Sequence, residues 1–180
     1  MGIKFKKKKI EGVVEIIPET YKDDRGFLTH LNSENIFMEE GHHHTFKKHT
    51  LRGLHISLPP FSESKFLYVT RGKMFWVVVD IRKRSKTFGQ WESFILSESR
   101  KNILVTTPGF AHGCLSLTDN VDLIFKSDKK FSEKHGTGII WNDKDLKIDW
   151  NLKDVTPLVS KRDKSYSSFE EFKRKYGNGI

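Results

Sequence analysis

Short runs of β-forming residues, each closed by Gly, Pro, Asp or Asn, recur along the chain and restrict it to an all-β sandwich or barrel. The runs are GVVEIIPE (12–19), RGFLTHLN (25–32), TLRGLHIS (50–57), KFLYVTRG (65–72), KMFWVVVDIR (73–82), WESFILSE (91–98), NILVTTP (102–108), HGCLSLTD (112–119) and VDLIFKSD (121–128). Arg71 and Gly72 stand between two of them and predict a hairpin, with Gly supplying the positive φ of the turn. Helices are expected only at the edges. One is a short segment near SENIFMEEG (33–41); the other is C-terminal, with Ser167 and Glu170 as a capping box and Gly177 as the stop. The whole chain, 1–180, reads as a single domain with a helical tail from about 165.

Several function classes fall away on composition. The single cysteine, Cys114, leaves no pair to bridge, and no apolar run approaches the roughly 18 residues of a membrane span. The basic N-terminus has no apolar segment behind it and does not read as a secretory signal. A cytoplasmic protein without a membrane partner is expected. The formal net charge of +9 suits either nucleic acid or a small phosphorylated ligand. Much of the excess lies in KFKKKK (4–9), LVSKRDK (158–164) and EEFKRKYG (170–177), and no zinc-finger, helix-turn-helix or RNP-like pattern accompanies it. No nucleic-acid partner is therefore expected.

The chemistry-bearing residues cluster around histidine. His42, His43 and His44 are followed closely by His49 and His55. Adjacent histidines on an extended chain point to opposite faces, so at most two of the three share a site, and they read chiefly as exposed loop residues. The metal-binding cupin pattern wants two histidines one residue apart and then a glutamate; LHISLPPFSE does not supply it, and no metal is expected. Strict alternation puts Leu51, Gly53, His55 and Ser57 on one face of their strand and Arg52, Leu54 and Ile56 on the other. On that pattern alone His55 is either a general base fixed by a carboxylate or a buried histidine satisfied by the backbone. Three further fragments favour chemistry: DDRGFL with Arg25, TPGFAHG with His112, and IIWNDKDLKIDW. Arginine suits bidentate grip on phosphate, so Arg25 and Arg52 form a candidate diphosphate clamp.

DDRGFL, LRGLHIS, SKFLYVTRGKMFWVVVDIRKRSKTFGQW, TPGFAHG and GIIWNDKDLKIDW together resemble the dTDP-4-dehydrorhamnose 3,5-epimerase (RmlC-like) family over residues 12–152. The resemblance implies a metal-free, cofactor-free cupin-type jelly roll, usually a homodimer, acting on a nucleotide-diphosphate-linked 4-keto sugar in surface polysaccharide biosynthesis. The alternating IKFKKKKI (3–10) would suit a strand exchanged between subunits. By the same likeness His55 matches the general base, Asp163 the acid that orients it, and Lys65 the cation on the enolate oxygen. Arg25 and Arg52 match diphosphate ligands, His112 lines the pocket, and Phe27 lies in the substrate-binding DDRGFL stretch.

The chain departs from its family at two places. Where relatives carry a tyrosine acid it has Phe125, which has no proton to donate, and where they carry an aromatic pair it has Lys130 and Phe131. The departures open three readings: inversion at C3, C5 or both with another proton donor, from Tyr68, Tyr21 or the histidines at 42–44; inversion at one centre only; or a binding protein without turnover. They also suggest a substrate outside the thymidine-linked series, such as a GDP-linked heptose. A 3,4-ketoisomerase of the same barrel type fits the motifs less well.

Overall fold

The computed structural model describes residues 4–24, 26–29, 38–177 and 179–180. Two sheets face each other. The first runs in the order β1 (Lys4–Lys7), β2 (Val13–Ile17), β10 (Ile103–Thr106), β7 (Lys65–Arg71), β12 (Val121–Ser127) and β5 (Glu39–Thr45). The second runs β13 (Gly136–Gly138), β6 (Thr50–Ser57), β11 (Phe110–Ser116), β8 (Lys73–Asp80) and β9 (Trp91–Ser97), with β14 (Leu158–Val159) parallel to β6. A small hairpin, β3 (Thr20–Asp23) and β4 (Gly26–Thr29), stands apart.

Burial explains the runs. On β8, Met74, Trp76 and Val78 point between the sheets, where they meet Leu67, Val69, Leu104 and Leu123, while Val77 and Val79 point outward. Both faces of this strand are therefore apolar, which is why KMFWVVVDIR reads as a nearly continuous run. The outward face is covered by the segment that follows β13, through Ile139, Leu146 and Trp150, and by α2 (Phe169–Tyr176), through Phe169 and Phe172. A smaller cluster of Phe66, Tyr68 and Ile103 lies on the outer face of the first sheet.

Four expectations change. β7 and β8 do not pair: Gly72, at φ 77°, carries the chain from one sheet to the other, because β7 is already flanked by β10 and β12, and β8 by β11 and β9. Glu39, Glu40 and Gly41 belong to strand β5 rather than to a helix, with 33–37 outside the described residues, and His42–His44 are strand residues paired to β12, not loop residues. The capping box sits one residue later than read: Ser168 accepts from the Glu171 amide and Glu171 accepts from the Ser168 amide, ahead of a left-handed cap at Gly177. The N-terminal stretch read as a strand is one: β1 pairs with β2, Lys4 opposite Ile17. Among the described residues no helix is long and apolar enough to cross a membrane.

Candidate active site

The site begins with an irregularity. Along β6 and β11, His55 faces His112 and Arg52 faces Cys114, so Gly53 and Leu54 together oppose the single Gly113. This is a β-bulge, and it resets the alternation. Leu51, Leu54 and Ile56 all enter the outer core, which leaves Arg52, His55 and Ser57, each only partly covered, on the inner side. The strict period-2 assignment, which put Arg52 opposite His55, is corrected by this one extra residue. Gly53 makes it possible: its φ is 109°, and a Cβ there would lie 2.5 Å from the His112 carbonyl oxygen and 2.8 Å from the Gly113 Cα.

The Gly53 amide donates to Asp163 Oδ2 at 2.9 Å, and the other carboxylate oxygen, Oδ1, lies 3.0 Å from His55 Nε2. Asp163 is buried at 2% exposure in the short helix α1 (Lys161–Lys164), whose first turn is capped by Ser160 accepting from the Asp163 amide. Burial pushes its carboxyl up, but the hydrogen bonds from His55 and the Gly53 amide outweigh that and hold it at about 2. An ionised carboxylate only accepts, so in the neutral imidazole Nε2 carries the hydrogen and Nδ1 is the free base. The Tyr166 ring stands edge-on to His55, centroids 5.9 Å apart, and Arg162 Nη2 approaches Nε2 at 3.5 Å.

On the facing sheet, Lys65 opens β7 opposite Ser127 of β12. Its ammonium is 2.7 Å from Glu63 Oε1 and 5.9 Å from the centroid of the Phe125 ring. Glu63 ties the sheets together, accepting from Ser57 Oγ of β6 at 2.7 Å and Ser127 Oγ of β12 at 2.5 Å. Phe125 lies over Gly41, its partner on β5, where a Cβ would come within 2.3 Å of the ring. His43 meets the same ring edge-on at 5.2 Å. The three adjacent histidines divide as an extended strand requires. His42 and His44 both bond Asp122 Oδ1, at 2.8 and 2.6 Å, while His43 turns the other way.

Charge ties these groups into one cluster. His112 is buried beside Trp76, whose Nε1 donates to its Nδ1 at 3.4 Å; burial, then the charges of Lys65 and His55, hold its imidazole well below the ordinary histidine range. His43 is lowered by partial burial and then by Arg52, Lys65 and His55. The Arg52 Nε is buried with no hydrogen-bond partner among the described residues, a donor suited to an anion. Cys114, also inward-facing, is no nucleophile: burial pushes its thiol up to about 12.

The structure thus brings together His55, Asp163, Lys65, Arg52, His112 and Phe125. Arg25 lies outside the described residues, and Phe27 is placed only through the backbone of β4. Lys130 is exposed in the turn after β12, next to Phe131, whose amide donates to Glu39 Oε2. Sequence reasoning missed Glu63, Tyr166 and Arg162. Glu63 sits in the Ser-rich SESK stretch, which reads as loop, and only its three partners reveal it.

Residues 7–171 match the model of the dTDP-4-dehydrorhamnose 3,5-epimerase family. The chain belongs to that family. It is 34% identical over 166 residues to the dTDP-4-dehydrorhamnose 3,5-epimerase of Shigella flexneri, covering 87% of this chain and 91% of the relative. A solved RmlC from Legionella pneumophila, in complex with dTDP-4-keto-L-rhamnose, superposes with TM-score 0.89 at 28% identity, over 96% of each chain. A 3'-monoepimerase from Streptomyces bikiniensis, in complex with dTDP-quinovose, gives TM-score 0.87 at 26% identity, over 93% of this chain and 89% of that one. As a member of the dTDP-4-dehydrorhamnose 3,5-epimerase family the protein is an isomerase with the cupin-type jelly-roll fold of its relatives.

Proposed function

We propose that the protein epimerises a dTDP-linked 4-keto-6-deoxyhexose, using His55 Nδ1 to remove a proton next to the ketone. The observation that carries this reading is the His55–Asp163 pair, a tautomer fixed by a buried carboxylate, with His55 and Lys65 both acting on His43 and His112. A proton α to a ketone is far too weakly acidic for imidazole unless the developing enolate is stabilised, and a cation held in a partly dry cleft does that. Lys65 is that cation, anchored by Glu63. Arg52, whose Nε has no partner among the described residues, receives the diphosphate, and Arg25 is assigned the same task on the family likeness. His112, kept neutral, lines the pocket. Lys130, exposed after β12, is assigned to nucleotide contact on the family likeness. No step calls for a change of oxidation state.

Phe125 favours a second reading, inversion at a single centre, because the phenol that would reprotonate the far face is absent. The GDP-linked heptose gains no support from relatives named for dTDP sugars. The deciding experiment is proton NMR of dTDP-4-keto-6-deoxyglucose with the protein in deuterated water, following C3–H and C5–H separately. Exchange with inversion at either carbon supports the proposal. Tight binding without exchange at either carbon would reduce the protein to a sugar-nucleotide binder.

A further inference from the structure

We propose that His43 is the proton donor that stands in for the missing phenol of Phe125. The inference rests on the epimerase reading above and specifies its second half.

Inversion requires that the proton return to the face opposite the one His55 deprotonates. The donor must therefore come from the wall facing β6, which is the first sheet, where Phe125 and Lys65 sit. The other candidates fail on placement. Tyr68 packs into the outer cluster with Phe66 and Ile103, on the opposite face of β7 from Lys65. Tyr21 is 53% exposed on the β3–β4 hairpin. His42 and His44 are held by Asp122 on the outer side of β5. Tyr166 touches His55 and so shares the wall of the base. His43 alone of these lies on the inner side of the first sheet, against the edge of the ring that replaces the acid.

Its surroundings suit the task. Burial and the cations Arg52 and Lys65 disfavour its charged form, which makes the imidazolium, once formed, a ready donor. A bound diphosphate adds negative charge beside those same cations, so His43 takes up a solvent proton when substrate arrives. In the step itself an N–H bond of the His43 imidazolium breaks and a C–H bond forms on the enolate carbon. The enolate electrons supply that bond as the ketone re-forms, and His43 is left neutral. His55 keeps the proton it took, and both histidines then exchange with solvent.

The test separates abstraction from return, using dTDP-4-keto-6-deoxyglucose in deuterated water. For His43→Gln the expected result is hydrogen exchange within about threefold of wild type, with inversion slower by about 100-fold, the usual scale for a lost acid. Adding Phe125→Tyr to His43→Gln should restore inversion by at least about tenfold, which a merely structural role for His43 would not allow. Unchanged inversion in His43→Gln, or equal loss of exchange and inversion, would overturn the assignment while leaving His55 as the base. A wild type that exchanges neither hydrogen overturns the epimerase reading, and this one with it.

Discussion

Replacing Asp163 by asparagine tests the centre of the site with little change in shape. The carboxylate accepts two hydrogen bonds, from the Gly53 amide at 2.9 Å and from His55 Nε2 at 3.0 Å. An asparagine has one accepting oxygen, and the Gly53 amide, a fixed donor, takes it. Its NH2 then faces His55 and forces Nε2 to accept, moving the imidazole hydrogen to Nδ1. The free base is lost although every atom stays near its place. The rate of C–H exchange should fall by at least about 100-fold, and long-range proton–nitrogen NMR of His55 should report the switch from Nε2–H to Nδ1–H. Stability should fall as well. The Asp163 carboxyl sits at about 2 against an ordinary 3.8, and at about 1.4 kcal/mol per unit the shift is worth about 2 kcal/mol. Because the folded value is the lower one, this stabilisation is present above the ordinary value and is lost as pH falls through 3.8 towards about 2. Urea melts should therefore show wild type losing stability relative to the variant as pH falls from about 4 towards 2. A variant that exchanges substrate hydrogens at the wild-type rate, or keeps Nε2–H, would refute the assignment of Nδ1 as the base.

Other outcomes follow from the same contacts. Gly53→Ala places a Cβ against the His112 carbonyl at a φ of 109° and should cost at least about 2 kcal/mol in chemical denaturation, with loss of exchange even where the variant folds. Lys65→Gln keeps a donor for Glu63 but no cation, so dTDP should bind in calorimetry within about threefold while C–H exchange drops by two to three orders of magnitude, roughly the scale of a lost oxyanion donor. Light scattering should give twice the chain mass of 21.0 kDa, the homodimer that the family likeness implies.

Much of the fold was legible because burial writes itself into alternation. β2 and β6 to β12 are strands with an apolar face, and each is visible in the sequence within a few residues. What stayed hidden were strands that owe their existence to a neighbour. β5 reads EEGHHHT, with no apolar pattern, and is held as an edge strand by its pairing with β12. The Arg71–Gly72 turn gave the right φ and the wrong pairing, since a local signal fixes the turn but sheet membership is decided by β10, β11 and β12, far along the chain. Asp163 is visible in the sequence only through family likeness. Its charge, in a run of lysine and arginine, reads as surface, and only the cap at Ser160 and the amide of Gly53 explain its burial.

The bulge at Gly53–Leu54 shows why residue types alone understate this site. A regular strand would turn Arg52 away from His55 and divide diphosphate binding from proton abstraction between two sides of the sheet. One additional residue, tolerated because glycine accepts the left-handed φ and the near contact with His112, puts the guanidinium and the imidazole on one wall, three residues apart. The same glycine then uses its amide to fix the carboxylate that orients the base. Gly53 touches no substrate in this scheme, yet it sets the face, the spacing and the tautomer, so the RGLH sequence is best understood as a backbone device that carries two functional side chains.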